Sequence, residues 1–297
     1  VYMAHTDVVF PDETELPLKV ENGRICCPGV GDDTACLVCV LLAAKYTALM
    51  IKEGRLNEIR PETAPGLIFV CNSGEEGLGN LKGVKKICED YGSRMSMFCT
   101  FDGRLEHLVD EAVGSNRYKV TVRTEGGHSF GNFGNANAIE KLAGMIEKLY
   151  QIQVPEGGKT TYNVGTISGG TSVNTIAQEV SMLYEFRSDR KANLAYMEEK
   201  FEAVIGEAKA AGLDVTYEIL GIRPCSGDVD KERQARLLER AKTAVEAVTG
   251  ICPAVGSGST DCNIPLSMGI PSVCVGSYHG AGAHTREEYV EESSLPL

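Results

Sequence analysis

The chain has no run of apolar residues approaching the ~20 that a bilayer crossing requires, so no membrane partner is expected. It lacks an excess of positive charge as well. Lys and Arg number 29 against 41 Asp and Glu, a net charge of −12. Such a chain repels phosphate backbones, which argues against a nucleic-acid partner. There is no G-x-x-x-x-G-K-[ST] phosphate loop, and Gly29-x-Gly31 is too short for a dinucleotide fingerprint. Internal repeats and low-complexity segments are missing too. No signal peptide is found, but the chain opens on Val1 without an initiator Met, so that absence excludes nothing. The rest is ordinary for a globular protein: 297 residues, 43% hydrophobic and 24% charged, enough for one large domain or two modest ones. Eleven cysteines are an odd count, and Cys36, Cys39, Cys71, Cys99 and Cys274 sit inside apolar runs. This predicts buried free thiols and a cytoplasmic location rather than a disulfide framework. Cys36-x-x-Cys39 has no second CxxC and lies in a helix-forming stretch, so it reads as core packing.

The apolar pattern changes along the chain. Val1–Met3 reads as the end of a buried strand, stopping at His5-Thr6-Asp7. Thr34–Lys52 is an Ala-rich helix that opens just after Gly31-Asp32-Asp33. Gly66–Cys71 is a buried strand ending at Asn72-Ser73-Gly74-Glu75-Glu76, Leu81–Tyr91 a helix stopped by Gly92, and Met95–Phe101 a strand ending at Asp102. Three strand–helix units therefore deliver acidic or imidazole groups at strand C-termini, the edge where open α/β sheets bind ligands. From about residue 114 the pattern becomes β-α-β-β-α-β: strands at 118–124, 161–167, 180–186 and 215–220, with helices at 137–150 and 194–208. That is a ferredoxin-like unit of the size of an inserted domain. A long helix at 231–248 and a buried strand at 269–276 return to α/β character. The expected architecture is α/β: a catalytic domain with a mixed, largely parallel sheet flanked by helices, made of residues 1–113 and 223–297, plus an inserted ferredoxin-like α+β lid or dimerisation domain at 114–222.

Five places combine metal-ligand chemistry with strand ends: His5-x-Asp7, Asp32-Asp33, Glu75-Glu76, Asp102 and His284. Imidazole nitrogen and carboxylate oxygen suit zinc-like ions, and carboxylates behind a ligating His orient it. On a strand, His-x-Asp would put both side chains on one face. Adjacent glutamates on a loop point apart, so one can bind a metal while the other handles a proton. Taken singly, each has a plain structural reading: a strand-end polar pair, a helix N-cap, a solvated turn. All five fall at element ends, in the order in which one sheet edge would collect them. His107 fits no pattern and reads as a surface residue.

These stretches resemble a known family, the co-catalytic zinc exopeptidases and deacylases that include tripeptidase T, carboxypeptidase G, succinyl-diaminopimelate desuccinylase and aminoacylase. The matching segments are MAHTDVVFP (3–11), CCPGVGDDTA (26–35), VCNSGEEGLGN (70–80), TFDG (100–103), GGHSFGNFGNANAI (126–139), GGTSVNTIAQE (169–179), GSTDCNIP (258–265) and GAHTREEYV (282–290). The resemblance implies His5 and Asp102 on one metal, Glu76 and His284 on the other, and Asp32 bridging both. It makes Asp7 the orienter of His5 and Glu75 the general base, with a cis peptide after Asp32. His284 is preferred to His279 as the terminal ligand because AHTREEYV matches the family context. His128 and Asn174 would reach a neighbouring subunit's site to stabilise the carbonyl oxyanion, and Arg187 would bind a substrate carboxylate. The cofactors implied are two divalent ions, zinc first, with cobalt and manganese compatible. The activity implied is exopeptidase hydrolysis of short peptides from the amino end, aminopeptidase- or tripeptidase-like, by a metal-activated water, in a homodimer paired through the inserted domain. N-acyl-amino-acid deacylation and carboxypeptidase action use the same ligands, and a relic without turnover is the non-enzymatic alternative. The chain departs from the family pattern at Asp33-Thr34, and relatives carry further elements before the His-x-Asp and after the last His.

Overall fold

The computed structural model describes residues 1–10, 15–55 and 66–295; Pro11, the last residue of the first matching segment, lies outside them. The chain forms two compact units, Val1–Ala112 with Ser226–Leu297, and Val113–Cys225.

Along the first lap run β1 (Tyr2–His5), the hairpin β2 (Lys19–Glu21) and β3 (Arg24–Cys26), a π-type turn at Val30–Ala35, and α1 (Cys36–Lys52). Then come β4 (Phe69–Asn72), α2 (Lys82–Tyr91), β5 (Phe98–Phe101) and β6 (His107–Ala112). The second unit holds β7 (Gly114–Arg123), β8 (Gly127–His128), α3 (Ala138–Tyr150), β9 (Thr160–Gly169), β10 (Thr175–Ile176), β11 (Glu179–Ser188), α4 (Lys191–Ala210) and β12 (Asp214–Arg223). The chain returns with α5 (Lys231–Thr249), β13 (Ala254–Gly258), α6 (Asn263–Ser267), β14 (Ser272–Val275), β15 (Gly280–Ala281) and β16 (Tyr289–Glu291).

The first unit is built on a six-stranded sheet of order β13-β6-β14-β5-β1-β4. Every neighbouring pair is parallel except β14–β6. Strand alternation sorts the side chains between two helical layers. Met3, Phe98 and Cys274 pack with Leu81 and Val84 by α2 and Leu266 of α6. Ala4 packs with Cys36 and Val40 of α1, and Cys99 and Val273 pack with Leu237 and Val245 of α5. Because β1, β4 and β5 are parallel neighbours, their C-terminal ends share one edge, and the loops leaving it carry His5, Glu75, Glu76 and Asp102. A second sheet, β15-β16-β3-β2, carries the loop before α1 and the segment around His284.

The second unit has the sheet order β12-β7-β11-β9, antiparallel throughout, with α3 and α4 packed on it. That is the ferredoxin-like order read from the sequence. Its core is aromatic: Phe201 stacks on Tyr118 at 4.3 Å between ring centroids and on Tyr184 at 5.7 Å. Asn137 caps α3, its side chain accepting from the Ile139 N–H.

Two expectations are corrected here. Val30–Lys52 is a 23-residue helical stretch that, by length and composition alone, passes as a membrane span, contrary to the reading that no apolar run comes close. Only 17% of its apolar window is buried, and Leu41, Leu42 and Tyr46 are exposed. The sequence reading stopped at Asp32-Asp33, whereas a helical turn on their N-terminal side, separated by a kink at these two residues, extends the stretch back to Val30. Regular α-helix nevertheless covers only Cys36–Lys52, roughly 25 Å, because Asp32 and Asp33 have non-helical backbone angles. The second correction is Cys71, which is exposed on the edge strand β4, because an edge strand has a neighbour on one side only. All eleven cysteines are free.

Candidate metal centre

The sheet edge gathers two imidazoles among five carboxylates. His5 ends β1 and is buried; its Nε2 lies 3.1 Å from Asp32 Oδ1. His284 approaches from an exposed loop with a left-handed backbone (φ 65°) and places Nε2 3.0 Å from Asp32 Oδ2 and 3.2 Å from Glu76 Oε1. Asp32 thus turns one oxygen to each histidine. Ligand atoms fall within 4.8 Å of one another in three groups: His5–Asp32–Asp102, Asp32–Glu76–His284 and His5–Glu75–Glu76. The peptide between Asp32 and Asp33 is cis, as the resemblance implied.

The loops are held open toward this point by two further carboxylates. Asp7 Oδ1 accepts from the N–H groups of Gly74 (2.8 Å) and Glu75 (3.3 Å), and Oδ2 from Glu76 N–H (2.9 Å). Glu288, buried, does the same for the other acidic loop: Oε2 accepts from Gly29 N–H (2.6 Å), and Oε1 from Gly31 and Asp32 N–H (2.8 Å each). The two glycines make this possible. Gly29 sits at φ 78°, and a Cβ on either residue would collide with Val8 or Tyr278.

Asp7 therefore does not orient His5 in the way expected. The strand ends at His5, so the alternation argument stops there. His5 Nδ1 lies 2.9 Å from the main-chain carbonyl of Asp7 and 3.7 Å from its carboxylate. With Nδ1–H donated to that carbonyl, the Nε2 lone pair is directed at the cluster. Asp33, buried, accepts from the His5 backbone N–H at 2.8 Å. Asn72 Nδ2 donates to buried Asp261 at 2.8 Å, pinning the end of β4.

The charges are unbalanced toward negative. Burial alone would lower the His5 pKa. Contact with Asp32 and the field of Asp33, Asp102 and Glu75 instead carry it to about 11. His284 is raised to about 10 by Asp32 first and Glu76 second. Burial opposes the charged form of Asp32, but the two imidazoles hold it below the usual carboxylate range. Asp102 is pushed up to about 8, by burial and then by Asp32, and burial with Asp102 nearby raises Asp33. His5 Nε2 is buried and, although 3.1 Å from Asp32 Oδ1, makes no well-aligned hydrogen bond. Buried imidazole and carboxylate donors with surplus negative charge suit divalent cations of the zinc type, which would displace the imidazole protons. The residues present fit such a pair.

Other expected site residues fall elsewhere. His279 pairs with Glu106 at 2.7 Å and takes no part in the cluster. In the second unit, His128 pairs with Thr175, and Ser129 N–H donates to the Asn174 carbonyl at 3.0 Å, so His128 and Asn174 share one end of that unit. His128 Nδ1 accepts from Phe130 and Gly131 N–H (3.3 and 3.2 Å), which leaves Nε2–H as an outward donor. Arg187 is not with them. It lies eight positions beyond Glu179 on β11, about 26 Å along a strand. Its Nε and Nη2 donate to Glu185, at 3.0 and 3.2 Å. Gly127–Gly131 also fits the G-x-S-x-G pattern of serine hydrolases, but Ser129 follows a two-residue strand and enters a turn, not the strand-to-helix elbow that exposes a nucleophile.

Comparison with known proteins agrees with this architecture. The class is an α/β unit carrying an inserted ferredoxin-like unit, and residues 111–212 match the peptidase dimerisation domain family. An aminopeptidase PepT from Bacillus cereus shares the fold with a TM-score of 0.66 and 24% identity, over 99% of this chain and 76% of its own. A tripeptidase from Staphylococcus aureus does so with a TM-score of 0.68, 24% identity and the same coverage. In sequence, a Bacillus subtilis protein named YqjE is 25% identical over 288 residues, covering 92% of this chain and 71% of that protein. A succinyl-diaminopimelate desuccinylase of Nitrosococcus oceani is 23% identical over 270 residues, covering 84% and 67%. The expected similarity to tripeptidases in fold and to desuccinylases in sequence is thereby found.

Proposed function

We propose that the chain is a metal-dependent hydrolase that cleaves an amide bond of short peptides as an exopeptidase. The observation that carries this reading is the meeting of His5, Asp32, Glu76, Asp102 and His284 at one sheet edge with Glu75 beside them. His5 and Asp102 would hold one divalent ion, Glu76 and His284 the other, with Asp32 shared. When bound, such a pair supplies Lewis-acid polarisation and a water of lowered pKa. Glu75 takes the proton of the attacking water and returns it to the leaving amine. Asp7 and Glu288 keep the two acidic loops in register without touching substrate. In the second unit His128, with Nε2–H facing outward, donates to the carbonyl oxygen of a substrate held by another copy of the chain, and Asn174 beside it assists. Arg187, whose Nε and Nη2 donate to Glu185, would offer its remaining N–H groups to a substrate carboxylate. The dimerisation-domain match supports a homodimer paired through this unit, and eleven free thiols fit a reducing, cytoplasmic setting. The desuccinylases among the relatives support deacylation of N-acyl amino acids as the second reading.

The test combines metal analysis with a panel of di- and tripeptides and N-acyl amino acids. Two bound ions and peptide turnover are expected. Glu75→Ala should keep both ions and lose about 10²–10⁴-fold in turnover. Two ions with no hydrolysis of any panel member would leave only a metal-binding relic, and wild-type turnover in Glu75→Ala would remove Glu75 from its role.

A further inference from the structure

The cluster at the C-terminal sheet edge uses none of the arginines of α5. Arg233, Arg236 and Arg240 follow one another at i, i+3 and i+7, which keeps them within about 60° of arc on the helix and spreads them over about 10 Å of its axis. Together with Met97, Leu237 and Pro271 they line a hollow of about 200 Å³. This hollow lies where β5 and β14 begin, Phe98 N–H donating to the Pro271 carbonyl at 2.9 Å. It is therefore at the opposite end of these strands from Asp102.

Like charges three and four residues apart on a helix repel, and here little offsets them. Arg233 Nη2 donates to the Ser96 carbonyl at 2.6 Å, a contact that fixes one fork against the wall but neutralises nothing. Arg236 has Glu232 at 3.8 Å, both largely exposed. Arg240 has no carboxylate partner among the described residues. In a chain of net charge −12, an unbalanced cationic stripe along a hollow is a departure that asks for an anion.

We propose that this hollow binds a small molecule through an anionic phosphate group. Each guanidinium offers five N–H donors in a planar fork. Even with Arg233 Nη2 held by Ser96, the remaining N–H groups of three guanidiniums outnumber the roughly four lone-pair sites of one carboxylate, whereas a phosphate offers a larger set of acceptor oxygens. The volume is larger than a bare phosphate needs, and Met97, Leu237 and Pro271 give the remainder an apolar wall for a compact organic group. The site is independent of the hydrolase reading, since it shares no residue with the metal cluster.

Titration of the purified chain with inorganic phosphate at low ionic strength, followed by heat and by melting temperature, tests this. One saturable site is expected, accompanied by a rise in melting temperature. Arg236→Ala/Arg240→Ala should weaken binding at least about tenfold, the worth of a lost charge-assisted contact. Arg240→Glu should do the same from a single position. Both replaced side chains are exposed, so the melting temperature without phosphate should stay at the wild-type value. No saturable binding to wild type, or binding unchanged in both variants because the ion sits at the histidine cluster, would overturn the proposal. Citrate bound more tightly than phosphate would overturn the assignment to phosphate.

Discussion

Two loops supply Asp32, Glu75 and Glu76, three of the four carboxylates of the proposed metal cluster, and each is held by one carboxylate accepting three consecutive or near-consecutive backbone N–H groups. The loop around Asp32 is held by Glu288, about 1% exposed and 256 residues away in sequence. The loop of Glu75 and Glu76 is held by Asp7, whose side chain is 24% exposed and which follows the same strand as His5. The geometry is alike and the setting differs. Buried amides that lose their acceptor have no water to turn to, whereas amides beside a partly exposed carboxylate do. The same device should therefore be worth more in the Asp32 loop than in the Glu75 loop.

Replacing the two clamps in parallel is the strongest test of that difference. Glu288→Ala leaves three amides without their acceptor and should cost about 3 kcal/mol or more in denaturant unfolding of the metal-free chain. With Asp32 released, metal affinity should fall about 10- to 100-fold. Asp7→Ala should cost about 1 kcal/mol and mainly slow turnover, because it loosens Glu75 and Glu76, the proposed general base and one proposed ligand. Equal losses from the two replacements would erase the distinction drawn here.

A second test loads the cluster. Both histidines have folded-state pKa values above their ordinary 6.5, at about 11 and about 10. A group raised in this way adds stability that is fully present below its unfolded value and is lost as pH rises through the folded one. The metal-free chain should therefore keep this contribution below about pH 6.5 and lose it toward pH 10–11. Metal ligation needs neutral imidazole, so zinc uptake at pH 7 should release about two protons or more, and affinity should rise with pH. Potentiometry in weakly buffered solution measures both. Proton release near zero would mean that the histidines are already neutral and that the carboxylates do not govern them.

The smallest effect separates the two histidines of the last segment. His279→Gln breaks one partly exposed pair with Glu106 and should leave metal content and turnover within about twofold of wild type. His284→Gln should empty the half of the cluster shared by Asp32 and Glu76. Parity between these variants would dissolve the assignment of the last ligand.

Much of this was legible in the residues. The parallel-sheet units, the ferredoxin-like insert and the acidic and imidazole groups at strand ends follow from apolar period and turn position, which are local properties. The clamps were not legible. Glu288 sits in an Arg-Glu-Glu run that looks solvated, and only its burial against Gly29 and Gly31 gives it a role. Asp7 was read through strand alternation, which fails one residue past the strand end. Arg187 followed the family pattern, and its pair with Glu185, two positions away on the same face, has no signature in the spacing. Each of these turns on a partner that neither spacing nor composition encodes. The short strands β2, β3, β13, β15 and β16 escaped detection because each is five residues or fewer and lies in Gly-rich or charged sequence.

Asp32 lends one oxygen to His5 and the other to His284, and that division has an evolutionary corollary. Neither half of the centre can be retuned at this position without disturbing its twin. On the proposed two-ion reading, drift toward a different ion or a different preferred substrate would enter through the unshared members, Asp102 on one side and Glu76 on the other, rather than through position 32.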